Sequence, residues 1–174
     1  WLHIMVTHST SNLAKFYRKI YPVAALVILA FEAWALVEQL NRYGMKMSEY
    51  AFSLIWIVAV AAAGLLILKK EKSHVIIVGL VSAVALISVL PVTGYHALPV
   101  QAQISRLERL LVSENILQDG QLVPASVEPQ RDVREAITDA VTFLAYAENA
   151  KLPKWFDDKL GQPATFKTQL GFEQ

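Results

Sequence analysis

Two long apolar runs, residues 50–68 and 75–90, follow each other with only Lys69-Lys70-Glu71-Lys72 and Ser73-His74 between them. Neither run holds a charged residue. A bilayer's hydrocarbon core is about 30 Å thick and a helix rises about 1.5 Å per residue, so runs of this length read as membrane-spanning helices. A helix satisfies its own backbone hydrogen bonds, which lipid cannot do. The pair reads as a transmembrane hairpin with a polar tip.

Upstream, residues 21–40 read as a first span. Pro22 suits its first turn, where the missing N–H is not needed. Glu32, Glu38 and Gln39 interrupt its apolar character. Ser9, Ser11 and Asn12 form a polar cluster able to cap a helix. Lys15, Arg18 and Lys19 then mix with Phe16 and Tyr17, which suits a cytoplasmic membrane surface or a solvated helix start. Gly44 is the expected stop of the first span. Tyr43 and Tyr50 stand where aromatic residues mark a membrane boundary. Ala59, Ala63 and Gly64 in the second span, with Gly79 and Ala83 in the third, are small residues that let helices approach closely in lipid. Trp1 to Val6 reads as the end of an upstream span or as an interfacial scrap, and the chain as a piece of a longer protein.

Charge sets the orientation. Three Lys/Arg precede the first span and three occupy the tip between the second and third. The connector holds two, Arg42 and Lys46, offset by Glu49, and none lies between the third span and Arg106. The richer segments share one side of a three-span topology, so the positive-inside tendency puts the N-terminus in the cytoplasm and residues 92–174 outside.

The second half has a different character. Residues 1–99 carry eight Lys/Arg against four Asp/Glu, while residues 100–174 carry eight against eleven. A basic membrane half and a mildly acidic soluble half argue against nucleic-acid binding. Hydrophobic residues make up 55% of the whole, above the ordinary share for soluble domains, and the excess lies in the first half. Cysteine is absent, which excludes disulfides, thiolate metal sites and cysteine nucleophiles.

Pro99 is expected to open a helix running to about Leu117, with Val100, Ile104, Leu107 and Leu111 at helical spacing. Asp119-Gly120 is a turn dipeptide. Pro129 starts the next helix, whose stripe is Val133, Ile137, Ala140, Val141 and Leu144. Short helices are expected over 153–160, stopped by Gly161, and over 163–170, stopped by Gly171. This is a small core for the length. Facing the Leu107 and Leu144 stripes together is the simplest way to bury both.

Three stretches resemble a family of bacterial multi-pass membrane proteins catalogued as domain of unknown function 4153. They are Arg42-Tyr43-Gly44-Met45 with Glu49-Tyr50, then Pro91-Val92-Thr93-Gly94, then Gln103-Ile104-Ser105-Arg106-Leu107 with Asp119-Gly120 downstream. The likeness covers most of residues 13–160. Glu49 and Gln39 depart from it, standing where that family commonly has Arg. The resemblance implies a bacterial cytoplasmic membrane, further spans upstream, and no assigned activity. It makes Tyr43, Gly44, Ser105, Arg106 and Leu107 candidate motif positions.

The expected fold class is an all-α integral membrane protein: three transmembrane helices followed by a small helical extracytoplasmic module. Residues 1–20 form a cytoplasmic interfacial segment, 21–91 the three-span region and 92–174 the outward module. Glu32 is the candidate intramembrane polar site, since a charge near mid-span costs about 2.5–3.5 kcal/mol on insertion scales. It reads as an ion, proton or substrate contact, or as a carboxyl hydrogen-bonded to Ser53, Ser82 or Ser88. His74 and His96 lack metal-ligand company. Arg106 and Arg109, alternating with Glu108, read as a solvated face. No catalytic constellation is present, and no enzyme activity, cofactor or metal is expected. Two functions fit: a membrane-embedded interaction, scaffold or sensory protein, or a transporter component with Glu32 on a polar pathway. The expected partners are the lipid bilayer and other membrane or envelope proteins.

Overall fold

The computed structural model describes residues 9–69, 73–148 and 150–174. The expectations for Trp1 to Val6 and for the Lys70-Glu71-Lys72 knot lie outside the described residues. The chain is predominantly helical. In order it forms α1 (Asn12–Tyr43), α2 (Met47–Lys69), α3 (Ser73–Ser88), α4 (Ala97–Ser113), β1 (Leu117–Gln118), β2 (Gln121–Leu122), α5 (Arg131–Ala145), a 3₁₀ helix (Asp158–Gly161) and α6 (Pro163–Leu170).

Helix α1 begins at Asn12, earlier than the expected first span. The Ser11 hydroxyl caps it by accepting from the Ala14 N–H at 3.1 Å. The cap starts the helix ten residues ahead of Pro22, which therefore sits inside it and not in a first turn. Proline has no N–H to give to the carbonyl four residues back, here that of Arg18. Gly44 ends α1 as expected. Its φ is +70° and its N–H reaches the Leu40 carbonyl.

Helices α1 and α2 are long and apolar enough to cross a membrane. Helix α3 is apolar but shorter. Large apolar side chains on these helices point away from the protein. Phe31 is 75% exposed, Trp34 78% and Val75 81%. A core helix of a soluble protein buries such residues, whereas a lipid-facing one does not. The Trp56 indole N–H bonds the Leu29 carbonyl at 2.8 Å and ties α1 to α2. Ala63 is buried, but a Cβ at Gly64 or Gly79 would meet nothing within 4 Å. Those two glycines are therefore not points of close helix approach.

Residues 97–174 surround one core. Leu107, Leu111, Ile137, Val141 and Leu144 are fully buried where α4 and α5 face each other, as their stripes require. Each side chain of this size contributes about 1.5–3 kcal/mol by leaving water. Phe156, Leu160, Phe166, Leu170 and Phe172 close the core from the C-terminal elements. The short helix expected over 153–160 forms only as the 3₁₀ turn. There the Asp157 carboxylate accepts from the Lys159 N–H at 2.9 Å and starts the turn late. Asp119 and Gly120 both adopt positive φ and join β1 to β2 in a tight antiparallel hairpin, a conformation Asp and Gly accept readily.

Candidate functional site

The last carbonyls of a helix have no partner within it and carry about half a negative charge. At the end of α1 they include those of Arg42 and Tyr43. The Arg106 guanidinium, on α4, donates to both: Nη2 to the Arg42 carbonyl at 2.7 Å and Nη1 to the Tyr43 carbonyl at 3.1 Å. Gln103 lies one turn earlier on α4 and is fully buried. Its Nε2 donates to the Tyr43 carbonyl at 2.9 Å and the Met45 carbonyl at 3.2 Å. Two side chains of one helix thus hold the end of another.

Gly44 makes this approach possible. A Cβ there would stand 2.9 Å from both Arg106 Cδ and Gln103 Nε2. Its positive φ also disfavours any side chain. Asp139, on α5, completes the cluster. Its Oδ1 accepts from Lys46 Nζ at 2.6 Å, and its Oδ2 lies 3.6 Å from Arg106 Nη1. Lys46 also stands 5.8 Å over the Tyr43 ring. Glu49 holds the connector from its far side. Its carboxylate accepts from the Lys46 N–H at 3.2 Å and the Ser48 hydroxyl at 2.9 Å, capping α2.

The Arg106 side chain is only 15% exposed. Burial pulls its pKa below the ordinary value, and the Asp139 carboxylate pulls it partly back. The solvated-face expectation is therefore wrong for Arg106. Its aliphatic stem packs over Gly44 and its head finds two carbonyls and a carboxylate. Arg109 is exposed as expected and donates to the Ser105 carbonyl at 3.2 Å.

Of the candidate motif positions, Tyr43, Gly44 and Arg106 meet in this cluster. Leu107, the next residue along α4, lies in the core. Ser105 is exposed and stands outside the cluster. Lys46, Gln103 and Asp139 complete it, although none was singled out for such a role from the sequence. One signal was available for Asp139: an acid next to Ala140, beside an apolar stripe.

Glu32 is half-buried on the face of α1 that also carries buried Leu29. It has no hydrogen-bond partner among the described residues. The expected pairing with Ser53, Ser82 or Ser88 does not form. The Ser53 and Ser88 hydroxyls bond carbonyls of their own helices, Glu49 at 2.6 Å and Ala85 at 2.7 Å. Glu38 and Gln39 are exposed. No group of three His, Asp or Glu among the described residues is placed to hold a metal.

No family model, curated protein or solved structure matches the chain.

Proposed function

We propose that the chain is a multi-pass protein of a bacterial cytoplasmic membrane that anchors an outward-facing helical module and works by interaction, as a scaffold or a sensor. The clamp of Arg106, Gln103 and Asp139 on the α1–α2 connector carries this reading. Such a clamp makes the module and the membrane helices move as one piece, so a partner seated on the module would be felt in the spans. The charge distribution of the connectors supports the orientation, with residues 92–174 outside.

A transport role has one observation in its favour, the half-buried and unpartnered Glu32. Liposomes holding the purified protein and a pH-sensitive dye separate the two readings. The interaction reading predicts proton flux no greater than in empty vesicles, and native assembly for Glu32→Gln, which keeps the size and hydrogen-bonding reach. Flux that disappears in Glu32→Gln would replace it with transport.

A further inference from the structure

Between α2 and α3 runs an open groove of about 740 Å³. Leu54, Ile55 and Val58 line it from α2, and Val81, Val84 and Ala85 from α3. Among the described residues, no Asp, Glu, Lys or Arg lines it. Its polar groups gather at one end, where the chain leaves α3. There the Tyr50 hydroxyl donates to the Thr93 carbonyl at 2.7 Å, and the Tyr50 and Tyr95 rings meet edge to face at 6.2 Å. The exposed His96 ring stands 5.2 Å from that of Tyr95. Gly94 shapes this end, since a Cβ there would meet the Leu90 carbonyl oxygen at 2.3 Å. The Tyr95 hydroxyl has no protein partner among the described residues.

We infer that this groove binds one acyl chain of a glycerophospholipid, with the head group at Tyr95 and His96. The inference rests on the membrane reading of α2 and α3. The depth of the groove selects the occupant. From Tyr50 to Val58 helix α2 advances about 12 Å, which is less than half of a hydrocarbon core about 30 Å thick. A spanning helix of another protein needs a groove running the full thickness. A lipid tail needs one leaflet. The groove opens beside residues already facing lipid, Ile55 at 67% exposure and Val89 at 77%. Its walls are too apolar to hold water well. The polar end offers a free hydroxyl and an imidazole, both able to donate to a phosphate, at the level where aromatic residues gather in membranes.

The test is native mass spectrometry of the full chain in mild detergent with added dioleoyl phosphatidylglycerol. One retained phospholipid per chain is expected. Ala85→Trp, which fills the groove from an exposed position, should cut the retained fraction at least tenfold. Ala30→Trp, exposed on α1 away from the groove, should leave it unchanged. The double change Tyr95→Phe with His96→Ala should weaken the phospholipid but not dioleoylglycerol, which has the same tails and no phosphate. The inference fails if the wild type retains no lipid, or if Ala85→Trp retains as much as the wild type. It also fails if the protein is a dimer that Ala85→Trp splits, since a helix of a second copy then fills the groove. Retention does not depend on which way the chain faces, so it stands or falls apart from the orientation.

Discussion

Arg106 places its guanidinium 2.7 Å from the main-chain carbonyl of Arg42, across 64 residues of sequence. A cation on α4 thereby serves carbonyls that the Gly44 stop leaves open at the end of α1. The bond joins the end of an apolar helix to a helix of the 97–174 core.

Arg106→Ala is expected to destabilise the protein by about 2–3 kcal/mol, the scale of a charged hydrogen bond lost with its acceptors left behind. Leu107→Ala and Leu144→Ala should each cost about 2–5 kcal/mol, the usual range for a buried leucine. Arg106→Lys should recover little, because a lysine head cannot reach two carbonyls in a fork. Thermal unfolding in detergent ranks the four variants. A loss below about 0.5 kcal/mol for Arg106→Ala would mean that the carbonyls are served equally well by water.

Gly44→Ala should cost about 1–3 kcal/mol through positive φ alone. It should also displace Arg106, because the new Cβ would stand 2.9 Å from Arg106 Cδ. The two changes then share an effect. The double variant Gly44→Ala with Arg106→Ala should be more stable than the sum of the single losses implies. Strict additivity in thermal unfolding would show that Gly44 and Arg106 act independently.

The Lys46–Asp139 pair is partly exposed, 27% and 30% at the side chains, so its direct worth is about 1 kcal/mol or less. Asp139→Lys should cost more than that, since it sets a third cation beside Lys46 and Arg106. The exchange Lys46→Asp with Asp139→Lys should recover only part of the loss, because the new lysine still faces Arg106. A double-mutant cycle at low and high salt checks this. The coupling should shrink as salt screens it.

Much of the fold was legible because it is written in periods and punctuation. The uncharged runs, the stop at Gly44, the turn at Asp119-Gly120 and the stripes through Leu107 and Leu144 each follow from a local rule. The polar cluster at Ser9 to Asn12 supplies the cap of α1 as expected, through Ser11, but Pro22, locally a start residue, was wrongly given a first turn because the helix already runs from Asn12. Phe156, Phe166 and Phe172 were missed as core residues. Phe156 and Phe172 lie outside regular helices, and Phe166 lies in α6, whose eight residues are too few to show a long stripe. The cluster was half visible. The resemblance marked Tyr43, Gly44 and Arg106, but helical spacing put Arg106 on a polar face. A polar residue beside an apolar stripe looks the same whether it meets water or a distant loop. Only the docking of α4 on the connector distinguishes the two.

The central claim is that the α1–α2 connector and the 97–174 module lie together on the outer side of a membrane, with the far end of α2 on the other. The chain has no cysteine, so single cysteines can be placed cleanly. Asn41→Cys and Ser113→Cys are exposed positions on the connector side and on the module, and Lys69→Cys is exposed at the far end of α2. A membrane-impermeant thiol reagent applied to intact cells should label Asn41→Cys and Ser113→Cys. Lys69→Cys should label only after permeabilisation. Labelling of Lys69→Cys in intact cells, or of Asn41→Cys and Ser113→Cys on opposite sides, would contradict the account.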